Sequence, residues 1–198
     1  MSAIQAIWIK KELLIMLGIF YWIVSFFIKY IKHRNTISKE LLLSEILKLG
    51  LILYLSLLIG VTLLPIRIPR SMYDIEPVIN LNIFSILDYG FNKYAIINIV
   101  GNILLLAPLP ILLFLNGYNK LMKVKNVVFF SFVISLSIEI LQYCESYFHF
   151  VYVPRATDVL DLILNTAGGL LGYCILRIYQ KNINSVEKLK NKLNHHVK

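Results

Sequence analysis

The sequence predicts an all-α integral membrane protein, a bundle of about five transmembrane helices with its N-terminus outside and its C-terminus inside. Hydrophobic residues make up 58% of the 198 residues, and the mean hydropathy is +0.72. Both values exceed those of a typical soluble domain. Five apolar segments of about 16–22 residues each approach the length that a 30 Å hydrocarbon core requires. Lysine and arginine are distributed unequally between the two sets of segment ends, which indicates the orientation.

The five segments, in chain order, are Glu12–Ile28, Leu49–Leu64, Tyr94–Leu115, Val127–Cys144 and Val159–Ile178. The third segment contains Pro108 and Pro110. Proline has no backbone N–H and clashes with the preceding helical turn, so this segment is predicted to kink or to have a broken inner half.

The ends that follow the first, third and fifth segments carry fourteen lysines and arginines, and the opposite ends carry six. Cytoplasmic loops are enriched in these residues, which places the N-terminus outside, although Lys10 and Lys11 oppose this orientation. The net charge of +9 is then explained without a nucleic-acid partner. Residues 1–179 are predicted to form one transmembrane domain. Residues 180–198 would be a basic cytoplasmic tail that either meets anionic headgroups or only fixes the topology.

The longest outside loop, between Pro65 and Lys93, contains an amphipathic stretch from Ile79 to Leu87. This stretch has the composition of a short helix in the membrane interface or of an ordinary connecting loop.

The start of the fifth segment combines a polar stripe with small residues. At about 100° per residue, Asp158, Asp161 and Asn165 share one helix face with Gly168, Gly169 and Gly172. A carboxylate within a spanning helix costs about 2.5–3.5 kcal/mol, so it normally faces protein or water. The glycines are predicted to let another helix approach closely.

Polar residues of three segments lie at a similar depth, mostly within about 12 Å of the outer surface. The third segment carries Asn98 and Asn102; the fourth has Ser131, Ser135, Glu139 and Gln142 on one face; and Arg155 precedes the fifth. The sequence therefore predicts an outward-facing polar site inside the bundle.

Glu139, Asp158 and Asp161 are the candidate catalytic residues, and with amide oxygens they could also hold a hard cation such as Mg²⁺ or Ca²⁺. Arg155, beside a helix N-terminus, suits a phosphate or carboxylate. Asn98, Asn102, Gln142 and Asn165 are the remaining candidate ligand-binding residues. No motif specifies a reaction, so the sequence leaves open whether the protein is an enzyme.

Structural roles compete with these assignments. Asn98 and Asn102 could simply bond between helices, and Asp158 could cap the fifth helix. Arg155 could anchor at the interface, or pair with Asp158 or Glu139.

Four motifs resemble the VanZ-like family of bacterial membrane proteins over about residues 63–177. They are N-L-x-x-F from Asn80; N-x-x-G-N-x-x-L-x-x-P from Asn98; the Leu136–Gln142 stretch with its glutamate and glutamine; and R-x-x-D-x-x-D-x-x-x-N-x-x-G-x-x-x-G from Arg155. The chain departs from the family's usual N-L-I-P-F, since it has Asn82 and Ile83. It also has Leu106-Ala107-Pro108 where Phe-x-Pro is common.

The resemblance implies a multi-pass protein of the bacterial cell membrane associated with low-level resistance to teicoplanin and other glycopeptides, especially lipid-tailed ones. The first hypothesis is an envelope-modifying or envelope-protecting protein that engages a lipid-linked cell-wall component or a lipoglycopeptide. A proton-coupled transporter of a small ligand or lipid is the second, and a non-catalytic structural membrane partner is the third.

Overall fold

The computed structural model describes residues 7–32, 38–68, 76–84, 92–151 and 155–196, with side chains as far as residue 183. The described helices are α1 (Lys11–Lys32), α2 (Lys39–Thr62), α3 (Lys93–Leu106), α4 (Pro108–Leu115), α5 (Val124–Tyr147) and α6 (Val159–His196), with a 3-10 turn at Asn119–Leu121. The strands are β1 (Ile7–Ile9), β2 (Ile66–Ile68), β3 (Ile79–Asn80) and β4 (Thr157–Asp158).

Within the described part of the chain, five helical units are long and apolar enough to cross a membrane, with α3 and α4 together forming one. The prediction of five spanning helices is confirmed. The backbone of α6 continues as one helix to His196, so most of the region assigned to the basic tail extends the last span.

Burial is inverted relative to a soluble protein. Large apolar side chains such as Phe20, Phe27 and Phe129 are about 60% exposed (64%, 59% and 62%), whereas Glu45, Glu139 and other polar side chains are buried. A lipid environment favours this arrangement, in which apolar side chains face outward and polar groups face inward.

The second span begins ten residues before its predicted start. Ser38 caps α2, since its Oγ accepts the N–H of Leu41 at 3.1 Å. The first turns of α2 contain Glu45 and Lys48, which interrupt the apolar pattern. Because the buried Glu45 carboxylate pairs with the exposed Lys48 ammonium group, the helix continues through them.

The third span is broken, as its prolines predict. α3 ends at Leu106, α4 begins at Pro108, and Ala107 lies between them. The Leu105 carbonyl, in the last turn of α3, accepts a hydrogen bond from the Tyr54 hydroxyl at 2.8 Å. This bond from α2 stabilises the break, where carbonyls lack complete helical partners.

α6 is the central helix and packs against α3, α4 and α5. Gly168 and Gly172 lie directly against the backbone carbonyls of Ile103 and Ala107, and a Cβ added at either glycine would come within 1.9 Å of the carbonyl oxygen. Gly169 lies equally close to Ser131 Oγ of α5. The three glycines thus set the separation of α6 from its neighbours.

Two short strand pairs lie at the same end of the bundle. β1 pairs antiparallel with β2, placing Trp8 opposite Arg67. β3 pairs in parallel with β4, placing Asn80 opposite Asp158. Helical periodicity in a sequence gives no information on strand pairing, so neither pair was predicted.

The interfacial helix considered for Ile79–Leu87 is wrong for the residues that the structure describes there. Ile79–Asn80 is a strand, and turn residues follow it. The side chains of Asn80 and Asn82 accept the N–H groups of Asn82 and Phe84, both at 3.0 Å. These local bonds favour a turn over a helix. Residues 85–91 lie outside the described residues.

Candidate functional site

The start of α3, the end of α5 and the start of α6 meet at the end of the bundle that carries the strand pairs. The acidic residues predicted to share one depth belong to these helix ends. The fold therefore brings together residues that are up to 78 positions apart in the chain.

Asp158 joins the short sheet to the central helix. Its Oδ2 accepts Asn80 Nδ2 at 2.8 Å, and its Oδ1 accepts the N–H of Leu160 at 2.8 Å. The second bond is an N-terminal cap for α6, which was one of the structural roles considered for this residue. Both carboxylate oxygens of Asp158 are therefore engaged in positioning contacts.

Glu139 of α5 lies beside this junction and is only 5% exposed. Its Oε2 accepts the backbone N–H of Asp158 at 3.0 Å. Asp158 and Asp161 both lie near enough to act electrostatically on Glu139. Three carboxyl groups therefore lie close together, and no described residue forms an ion pair with any of them.

Asp161 faces α3 and is bonded through its Oδ1 to Asn102 Nδ2. The same amide group donates to Asn98 Oδ1 at 2.7 Å, and Asn98 is exposed. The two asparagines thus connect Asp161 to the surface of the bundle. In the described part of the chain, no residue donates to the second oxygen of Asp161 or of Glu139.

Polar groups continue inward from the acids along the α5–α6 interface. Asn165, 1% exposed, donates from Nδ2 to Ser135 Oγ at 3.0 Å. Asn165 Oδ1 and Ser131 Oγ are buried without a hydrogen-bond partner among the described residues. These residues form a polar seam (Asn165, Ser135 and Ser131) that begins one turn below Asp161.

Two predicted ligand-binding residues, Arg155 and Gln142, donate hydrogen bonds to backbone carbonyls. Arg155 Nη2 donates to the Leu64 carbonyl at 2.8 Å, and Gln142 Nε2 donates to the Thr62 carbonyl at 2.8 Å. Both bonds tie the end of α2 to the α5–α6 region. Among the described residues Arg155 forms no salt bridge with Asp158 or Glu139, since the ion pairs there are at Glu45.

The predicted site for a divalent cation involves the same three carboxylates, Glu139, Asp158 and Asp161. In the described ranges, no group of three or more His, Cys, Asp or Glu residues is placed to hold a metal ion. Each Asp158 oxygen also accepts one hydrogen bond. The Mg²⁺ or Ca²⁺ site stays a prediction.

Sequence reasoning missed two residues near this end. Asn80 contacts Asp158 directly, and its presence in the first of the four motifs was the signal for it. Glu145, in the last turn of α5, is 8% exposed with Oε2 unbonded among the described residues, and Arg155 acts on it electrostatically. Glu145 lies six residues after Glu139, near the end of the helix. A carboxylate at a helix end is usually solvated, so its burial was not predicted.

The family model VanZ/LLP1 matches residues 51–180. This range contains the acidic end of the bundle, that is, Asn80, Asn98, Asn102, Glu139, Asp158 and Asp161. The helix α1 and the first twelve residues of α2 precede the range. No curated protein and no solved structure matches the chain.

Proposed function

The chain belongs to the VanZ/LLP1 family, and from this membership we propose that it is a bacterial cell-membrane protein that protects or modifies the cell envelope. Its acidic end would engage a lipid-linked cell-wall component or a lipid-tailed glycopeptide antibiotic. The observation that carries the proposal is the grouping of Glu139, Asp158 and Asp161 where three helix ends meet.

The cost of burying unpaired carboxylates favours a ligand-binding site over a core that has only a structural role. An uncompensated carboxylate at membrane depth costs about 2.5–3.5 kcal/mol. Neither Glu139 nor Asp161 has a cationic partner among the described residues. Amide and backbone donors bond one oxygen of each, and the other oxygen remains for a ligand. A purely structural role would be served at lower cost by neutral side chains.

The residues divide into reacting groups and positioning groups. Glu139 and Asp161 would bind the ligand or exchange a proton with it, and Asn98 and Asn102 would orient it. Asp158 holds the start of α6 in place. Arg155 and Gln142 fix the wall formed by α2, and Arg155 supplies positive charge for an anionic group.

The proposal is tested by expressing the protein in a susceptible Gram-positive host and measuring teicoplanin and vancomycin susceptibility. We expect wild-type protein to protect selectively against teicoplanin, and Asp161→Asn and Glu139→Gln to lose most of that protection. Glu40→Gln is the matched control, because Glu40 is an exposed carboxylate at the opposite end of the bundle. Full protection by both site variants would overturn the proposal.

Membrane abundance must be measured in the same strains. Equal abundance with lost protection assigns the acids to function. If abundance of Asp161→Asn falls in parallel with protection, the acids support folding, as the structural-partner hypothesis requires.

Transport is the second candidate function, and the polar seam supports it. Asn165, Ser135 and Ser131 extend polar groups inward from Asp161, and the break at Ala107 interrupts the helix that packs against them. Broken helices beside buried polar groups are typical of transporters. Proton-coupled uptake into proteoliposomes would establish this function, and flux equal to that of empty liposomes would exclude it.

A further inference from the structure

A cavity of about 530 Å³ lies between the start of α1 and the end of α2, separate from the acidic residues. Its polar side is formed by Lys10, Lys11 and Glu12, and its apolar side includes Trp8, Val61 and Leu64. Neither the family match nor the proposed function uses this cavity. Residues 8–12 precede the matched region, so half of the residues that line the cavity lie outside the family match.

The charge of the polar side favours an anion. Two lysines outnumber the one carboxylate of Glu12. Arg67 adds positive charge at the edge, because its guanidinium lies 6.0 Å from the centre of the Trp8 ring. The helix α1 begins at Lys11, and the positive end of its dipole, at the N-terminus, attracts negative charge.

The apolar side favours a lipid over a free anion. Val61 is 59% exposed on the outer face of α2, and Trp8 is 41% exposed beside it. Tryptophan is enriched at the level of lipid headgroups. A molecule that fills both sides must therefore carry an anionic head and an apolar chain.

The position of the lysines is fixed by close helix packing. A Cβ added to Gly60 would come within 2.7 Å of Lys11 Cβ, so the first turn of α1 lies directly against α2. The strand pair β1–β2 holds the segment before it. Lys10 and Lys11 are thus presented from two constrained elements rather than from a free end.

We propose that this cavity is a binding site for the phosphate headgroup of an anionic membrane lipid. Lys10 and Lys11 bind the phosphate, and the acyl chain follows Val61 and Leu64. The Glu12 carboxylate lowers the affinity of the site for phosphate and disfavours a headgroup with a second negative charge. The proposal does not depend on the function of the acidic end.

The test measures lipid binding to the detergent-purified full chain by native mass spectrometry. The probes are dioleoyl phosphatidylglycerol, dioleoylglycerol, which lacks phosphate, and glycerol phosphate, which lacks acyl chains. Each lysine near a lipid phosphate contributes about fivefold in affinity, so Lys10→Gln with Lys11→Gln should weaken phosphatidylglycerol binding about 25-fold. Glu12→Gln should strengthen it severalfold.

The matched control is Lys120→Gln with Lys123→Gln, which removes two exposed lysines from the opposite end of the bundle. It should change binding less than twofold. Val61→Trp, which fills the apolar side without changing charge, should also reduce binding if the site is correct. Its exposed position allows the larger side chain without disturbing the fold.

Three results would overturn the proposal. Equal losses in the two double variants would indicate diffuse attraction to basic protein. If dioleoylglycerol binds as tightly as phosphatidylglycerol, the site does not recognise the phosphate. If glycerol phosphate binds as tightly, the site does not recognise the acyl chains.

Discussion

A single hydroxyl in the polar seam decides whether a buried amide is bonded at all. Ser135 Oγ accepts Asn165 Nδ2 at 3.0 Å, and Asn165 Oδ1 already lacks a partner among the described residues. Ser135→Ala should therefore lower the free energy of unfolding by about 1–2 kcal/mol, measured by denaturant titration of the detergent-solubilised protein.

Ser137 provides the control for this substitution two residues along the same helix. It is exposed, and its hydroxyl bonds the Val133 carbonyl of its own helix at 2.7 Å. Ser137→Ala should change the free energy of unfolding by less than about 0.5 kcal/mol. Similar losses in both variants would show that the Asn165 bond has no special contribution.

Glu45 is a buried acid of α2 that pairs with Lys29 of α1, and it was not identified from the sequence. It is 1% exposed, and its Oε1 accepts Lys29 Nζ at 2.7 Å and Lys48 Nζ at 2.9 Å. Trp22 Nε1 bonds its backbone carbonyl, a contact that a side-chain change leaves intact. Glu45→Gln should cost about 1–3 kcal/mol of unfolding free energy, because the half-buried Lys29 and the exposed Lys48 lose their counter-ion.

The comparison for Glu45 is Glu40→Gln, one turn earlier on α2. Glu40 is exposed and interacts mainly with the helix N-terminus, which contributes about 0.3–1 kcal/mol. A larger loss at Glu40 than at Glu45, in the same unfolding titration, would contradict the role assigned to the ion pair.

At the scale of helices, the three glycines of α6 have different neighbours, so their alanine variants should differ in stability. Gly168→Ala would place a Cβ 1.9 Å from a backbone oxygen of α3, which cannot move without the helix. We expect a loss of about 1–3 kcal/mol in unfolding free energy. Gly169→Ala meets the Ser131 side chain instead. Ser131 Oγ can rotate away, but Ser131 Cβ at 2.7 Å can move only with α5, so we expect a smaller loss that is still measurable.

Gly101→Ala on α3 is the control for the glycine series. A Cβ there has no atom within 4 Å, and alanine favours a helix over glycine by about 0.8–1 kcal/mol. The variant should be as stable as wild type or more stable, as measured by thermal unfolding in detergent. Destabilisation at Gly101 would mean that helix separation is not what the α6 glycines determine.

Periodicity and length were enough to predict the spans and the break in the third, because apolar runs and prolines act locally. They missed the true start of α2, since Glu45 and Lys48 are polar in sequence but paired in space. Reasoning from depth predicted that Glu139, Asp158, Asp161 and Asn102 would meet.

The same reasoning did not predict where Arg155 and Gln142 bond. Their partners are carbonyls at the end of α2, 91 and 80 residues away. Helix rotation and loop path determine such contacts, and neither is encoded in a hydrophobic pattern. The pairing of Asn80 with Asp158 depends likewise on a parallel strand contact across the bundle.

For the whole molecule, the two ends of the bundle have different polar chemistry. One end carries the acidic residues, the cavity beside Lys10 and Lys11, and the two strand pairs. The other end carries Glu45 between Lys29 and Lys48. The lysine-rich end is predicted to be cytoplasmic. Under that orientation, the acidic residues meet the cell exterior, where glycopeptides and wall precursors are found.

The orientation is tested with fusions to the C-terminus, since α6 leads there from the central bundle. Green fluorescent protein fluoresces when it remains in the cytoplasm, and alkaline phosphatase is active when it is exported. We expect a fluorescent fusion and an inactive phosphatase, because fourteen of the twenty basic residues lie at that set of ends. Lys10→Gln with Lys11→Gln removes the charges that oppose this orientation and should leave the result unchanged. An active phosphatase fusion would place the acidic end in the cytoplasm and exclude direct contact with an extracellular antibiotic.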